Sequence, residues 1–180
     1  MTACPLTVVG HVRTAFTTLA DTPVQSSLAR DAQGRVEVRP RYAAGLEGLA
    51  GFDHAWLVTW LGGDEDGADG EDGADGADVP LVQTPFLAQR AGLSVGLFAM
   101  RGPRRVNPLG LSLVRVLAVE GAVLRFAGVD VIDGTPVVDL KPYVTAFDRP
   151  DGDPRCGWFD TVDLPPGATP SSLRPGAWPA

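Results

Sequence analysis

What most constrains this chain is its punctuation. From residue 95 onward, apolar runs at 95–100, 111–119, 122–132 and 136–140 are separated by turns that carry glycine, and none of them shows helical periodicity. Upstream, residues 6–13 alternate apolar and polar positions and are rich in β-branched side chains. Residues 34–39, ended by Pro40, and residues 54–61 read the same way. Five to seven short strands predict a mainly β chain, and closure into an antiparallel barrel would remove the exposed edges that such strands leave. The expected fold is therefore a single closed or nearly closed antiparallel β-barrel over residues 1–148. Seven prolines among the last 31 residues predict an irregular Pro-rich C-terminal tail over residues 149–180.

Composition narrows the function classes. A length of 180 residues suits one domain with a real core. No apolar run is long enough to cross a bilayer, and the start Met1-Thr-Ala-Cys-Pro lacks the basic and apolar regions of a secretion signal, which predicts a cytoplasmic protein without a membrane partner. Cys4 and Cys156 stand far apart and read as free thiols. His11, His54 and those two cysteines do not form a metal-ligand pattern, so no metal is expected. The net charge of −7 argues against a nucleic-acid partner at first sight. Eight of the 22 acidic residues, however, lie within residues 64–78, a low-complexity run of Asp, Glu, Gly and Ala that reads as a solvated, disordered insertion. The remainder holds 14 acidic against 15 basic residues and is near neutral, so an RNA partner is neither favoured nor excluded.

Polar chemistry concentrates in two stretches. Residues 96–112 place Arg101, Arg104, Arg105 and Asn107 between apolar runs, with Pro103 and Pro108 fixing φ nearby. Arginine forks suit carboxylates and phosphates. Residues 130–143 contain the turn Asp133-Gly134, followed by Asp139, Lys141 and Tyr143 at a spacing of two, which puts those three on one face of a strand. For Asp133 a turn-capping role is the alternative, and for Asp139 with Lys141 an exposed ion pair. Gly45, Gly48 and Gly51 follow no strand and do not make a dinucleotide-binding loop.

These stretches carry a resemblance. Residues 96–112 are similar to the G-x-F-x-x-R-S-P-x-R-P-N-P-I-G-L-S signature of the TsaA/TrmO family, and residues 130–143 to its D-x-x-D-G-T-P-x-x-D-I-K-P-Y signature. Val9-Gly10-His11-Val12-Arg13-Thr14 resembles the family's I-G-x-I-R-T opening, and residues 48–56 resemble its G-L-x-G-F-x-H-x-W block. The resemblance implies a barrel-type methyltransferase that binds S-adenosylmethionine, usually as a homodimer with the donor at the interface. It would methylate N6 of threonylcarbamoyl-adenosine beside the tRNA anticodon.

By the same resemblance Pro23, Gln25, Arg101, Leu111, Gly128, Val129 and Asp130 fall at donor-binding positions, with Arg101 as the clamp for the donor's carboxylate. Asn107, Asp133, Asp139, Lys141 and Tyr143 are the candidates on the acceptor side, Asp139 as proton acceptor and Lys141 as the holder of a phosphate or carboxylate. Val24, Gly102 and Val106 stand where the family carries Arg, Ser and Pro. They leave open a small-molecule acceptor in place of tRNA, or a donor-binding module without catalysis.

Overall fold

A computed structural model describes residues 5–62, 79–162 and 166–172. The acidic run 64–78 and Cys4 lie outside the described residues. Six strands form a closed antiparallel barrel: β1 (Gly10–Arg13), β2 (Gln33–Val38), β3 (His54–Trp60), β6 (Leu109–Glu120), β7 (Val123–Ala127) and β8 (Pro136–Pro142), in the order β1-β2-β7-β6-β3-β8. Two short strands, β4 (Val82–Gln83) and β5 (Val95–Gly96), pair with each other outside it. Closure is thus the alternative adopted.

Alternation sorts the side chains. Val12, Val36, Leu57, Val114, Leu124, Phe126 and Val137 point inward and are essentially inaccessible. Most of their neighbours in sequence are more exposed, with Ala127 and Pro136 as buried exceptions. The longest strand, β6, serves two partners: residues 109–115 pair with β3 and residues 115–120 with β7. A register shift between Val116 and Ala118 lets one strand turn the corner between them. Closure rests on the short β1–β8 pairing of Gly10 with Val137 and His11 with Pro136. At Gly10 a Cβ would stand 2.6 Å from the carbonyl oxygen of Glu37 and 2.9 Å from the Cα of Val38, which is backbone that cannot yield. Only glycine fits there.

Three expectations are corrected. The run 95–100 is not one strand, because only Val95–Gly96 is extended and Leu97–Ala99 forms a 3-10 turn. Leu97 is buried, and the guanidinium of Arg105 donates to the carbonyls of Leu97 at 3.1 Å and Met100 at 2.8 Å, replacing the partners a ladder would supply. The run 122–132 stops pairing at Ala127, since Gly128 takes φ +89° and turns the chain. The first strand begins at Gly10 rather than at residue 6. In the C-terminal segment, Gly157–Thr161 forms a further 3-10 turn.

Thr59, in the barrel wall, carries a fully buried hydroxyl with no hydrogen-bond partner among the described residues. A Cβ on Gly110 opposite would collide with that hydroxyl. Since a buried polar group without a partner costs about 1–3 kcal/mol, Thr59→Val should stabilise the barrel. We expect Tm to rise by roughly 2–4 °C per kcal/mol recovered in calorimetric melting. A fall in Tm would show that the hydroxyl has a partner.

Candidate functional site

The donor-side candidates meet around one carboxylate. Gly128 turns the chain out of β7, Val129 is buried beneath it, and Asp130 is aimed back at the loop that carries Pro23 and Gln25. Its Oδ2 accepts the backbone N–H of Ser26 at 2.7 Å, and its Oδ1 accepts the hydroxyl of Ser112 at 2.5 Å. Leu111, next to Ser112, is about half exposed, and its carbonyl receives the guanidinium of Arg101 at 3.5 Å. A single chain of contacts therefore joins the loop 23–26, the turn 128–130, β6 and Arg101. Asp130, Leu111 and Arg101 lie on it directly, Gly128 and Val129 precede Asp130 in its turn, and Pro23 and Gln25 belong to the loop that carries Ser26.

Burial pushes the Asp130 carboxyl above its usual range, against the hydrogen bonds from Ser112 and Ser26 and the nearby Arg101 charge, which pull it down. Bonded on both oxygens, the carboxylate is the junction of the three segments.

The acceptor-side candidates do not form one group. Asp139 and Lys141 lie on the outer face of β8, with Tyr143 one residue beyond its end. The Lys141 ammonium stands 2.8 Å from Asp139 Oδ2, while Asp139 Oδ1 accepts the N–H of Leu140. The Asp139 contact raises the Lys141 pKa, so this amine is an ammonium at neutral pH and does not serve as a base. Tyr143 packs against His54, ring centroids 6.4 Å apart, and against Trp56 at 6.0 Å. Cross-strand register ties this group to the donor side, because Asp139 pairs with Val58 and Val58 pairs with Leu111.

Two candidates lie elsewhere. Asn107 precedes β6 at the end of β3 that holds Trp60, whereas Tyr143 sits at the His54 end, about 20 Å away along an extended strand. Asp133 accepts the N–H of Thr14 at 3.0 Å and stands 3.7 Å from the Arg13 guanidinium, in the turn made by Gly134 at φ +82°. Its carboxylate thus ties this turn to the end of β1 and does not cap the turn itself.

Sequence reasoning missed the groups that hold the site together. Ser26 and Ser112 are both buried polar residues, and each adjoins a residue singled out above. The C-terminal segment reaches both donor-side loops: Ala168 O accepts the N–H of Val24 at 2.9 Å, and the indole of Trp158 donates to Ala99 O at 2.8 Å. No periodic signal marks such contacts, because they are made by single residues far apart in sequence. Among the described residues there is no cluster of three metal-ligating side chains, and no helix is long and apolar enough to cross a membrane.

A closed six-stranded antiparallel barrel with a buried carboxylate joining its loops, and an acid, a cation and an aromatic ring along and just beyond β8, places the chain among small β-barrel proteins. Within that class the assignment is specific. The model of the tRNA-methyltransferase O N-terminal domain matches residues 11–149, and the chain belongs to this family.

A Pyrococcus abyssi relative named "Probable S-adenosyl-L-methionine-binding protein" is 34% identical over 152 residues, covering 84% of this chain and 74% of its own length. The human tRNA (adenine(37)-N6)-methyltransferase is 32% identical over 146 residues, covering 79% of this chain. The crystal structure of TrmO from Pseudomonas aeruginosa superposes with a TM-score of 0.64 at 31% identity over 87% of the chain. The chain spans only 30% of the human enzyme and 62% of that solved structure.

Asp130 separates structure from chemistry by substitution. Asp130→Ala orphans the Ser26 N–H and the Ser112 hydroxyl and should cost about 1–3 kcal/mol. Asp130→Asn keeps both contacts, accepting from Ser26 and donating to Ser112, and should melt close to wild type. A folded-state pKa raised above the unfolded one means that wild type loses stability as pH rises above the ordinary Asp value of 3.8 towards the raised one. The non-titrating Asn variant should lack this slope in melting curves taken from pH 4 upward. Parallel curves for the two proteins would show that the carboxyl is not perturbed.

Proposed function

We propose that the protein is an S-adenosylmethionine-dependent methyltransferase of tRNA in the cytoplasm, acting on N6 of the threonylcarbamoyl-adenosine beside the anticodon. The observation that carries the reading is the contact chain centred on Asp130, which links the loop 23–26 to Leu111 and Arg101, together with the register that sets Asp139 two strands from Leu111.

The residues present fit the donor. Arg101 is exposed, and one of its guanidinium nitrogens reaches the Leu111 carbonyl. It suits a carboxylate. Leu111 offers an apolar surface, and the Asp130 carboxylate suits an ammonium or a ribose hydroxyl. When bound, S-adenosylmethionine supplies a methyl group on a sulfonium. Arg101, Leu111 and Asp130 orient that group, and orientation is the larger part of an in-line displacement. Asp139 receives the proton from the attacking nitrogen at Oδ2, the oxygen facing Lys141, and the ammonium of Lys141 holds an anionic group of the acceptor. Tyr143, Trp56 and His54 form an aromatic wall against which a base can stack.

The same surface supports a homodimer. Phe98, Val106, Leu109 and Leu111 are exposed large apolar side chains beside the donor residues, and Phe98 is 86% exposed. A second copy would cover them and enclose a site that one protomer leaves open. Phe98→Glu with Leu109→Glu should convert a dimer to a monomer in light scattering and abolish methyl transfer, while the barrel melts unchanged. A wild-type protein that is monomeric at micromolar concentration removes the dimer from the reading.

Arg101→Ala should weaken S-adenosylmethionine binding by roughly 1.5–3 kcal/mol, about tenfold to more than a hundredfold, in titration calorimetry. Nucleoside analysis of tRNA from a deletion strain tests the acceptor. Threonylcarbamoyl-adenosine should accumulate at the expense of its N6-methylated form, and an unchanged nucleoside profile with intact donor binding would reassign the acceptor to a small molecule.

A further inference from the structure

Three arginines stand shoulder to shoulder on the barrel's outer wall. In the register of β1, β2 and β7, Arg13 is directly opposite Arg35, and Arg35 is directly opposite Arg125. The residues before them in β1 and β7 and the one after Arg35 in β2, namely Val12, Leu124 and Val36, are buried, so the three arginines face outward together. Arg115 on β6 pairs with Ala127, two residues beyond Arg125, and extends the row diagonally. With strands about 4.8 Å apart, four guanidinium stems fall within roughly 14 Å.

Like charges directly opposite each other on neighbouring strands destabilise a sheet. Here the opposing acid is scarce. Glu37 accepts from Arg13 Nε at 3.0 Å and from Arg35 Nε at 3.0 Å, and these two contacts hold its carboxyl below the usual range. Asp133 touches only Arg13, and Glu120 pairs in register with Val123 rather than with an arginine. Arg125 and Arg115 make no ion pair or side-chain hydrogen bond among the described residues. Folding alone gives no reason for such a row in a chain of net charge −7.

We propose that this arginine band is the track on which the phosphate backbone of the RNA substrate lies. The inference rests on the tRNA reading above. Two observations select a polyanion for the occupant: the side-by-side cations, each a fork suited to phosphate oxygens, and the continuity of the band with the acceptor face. Its far end, Arg115, is paired in register with His54, whose ring packs on Tyr143 next to Lys141 and Asp139. A strand laid along the band leads a base to that aromatic wall. Arg105, whose guanidinium is spent on two backbone carbonyls, is not available for the role.

The test is fluorescence anisotropy of labelled tRNA with the full chain, between 50 and 300 mM salt, with S-adenosylmethionine affinity measured alongside. Arg35→Gln combined with Arg125→Gln should lower the slope of log affinity against log salt by about two units, and Arg125→Gln alone by about one, with donor affinity unchanged. Arg125 makes no contact on which the fold depends, so the single variant stands even if the double variant does not fold. Wild-type slope and affinity in the Arg125→Gln protein would overturn the band and leave the tRNA reading in place. No tRNA binding by wild type would sink the tRNA reading itself. Competition by poly-glutamate as effective as by unlabelled tRNA would overturn the proposal in favour of an acidic protein partner.

Discussion

The site depends on the Asp130 carboxylate being held between two segments that share no strand pairing. Its oxygens bind Ser26, in the loop between β1 and β2, and Ser112, on β6. A carboxylate is suited to this because it accepts on both oxygens, one from each segment. Burial opposes its charge, and the two hydrogen bonds offset part of that cost.

Around that junction the chain uses its ends as fasteners. Ala168 holds the Val24 backbone and Gly167 donates to Leu28 O at 2.7 Å, while Trp158 holds Ala99 two residues before Arg101. The loop 20–28 and the loop 97–108 lie outside the strand ladders, and these contacts supply partners for their backbone. The C-terminal segment does for these loops what strand pairing does for the barrel.

How much of this was legible follows from the range of each signal. Alternation is a local signal, and it gave β2, β3 and β8 within two residues and the outward grouping of Asp139 and Lys141. It failed at residues 95–100, where an apolar run becomes a 3-10 turn because Arg105, from farther along the chain, satisfies its carbonyls. The donor-side residues are named through family resemblance, yet their assembly around Asp130 depends on Ser112, which closes one of the quoted signatures without a role of its own there, and on Ser26, which no pattern distinguishes. Asn107 and Asp133 share the signatures of the acceptor-side residues, and the structure sets Asn107 beyond the Trp60 end of β3 and Asp133 in the turn before β8.

The closed barrel itself decides where chemistry can occur. Its interior is filled mainly by Val, Leu and Phe side chains, with Thr59 and Ser112 as buried polar exceptions, so most of the wall's polar groups lie on its outer surface and at its rims. Outward positions on neighbouring strands meet in rows, and a row can collect residues from the first and last thirds of the sequence, as Arg13, Arg35 and Arg125 show. A convex outer wall cannot enclose a substrate as a cleft does. It can only present functional groups in register to something that wraps against it, and this geometry suits a second barrel on the apolar side and an extended polyanion on the basic one.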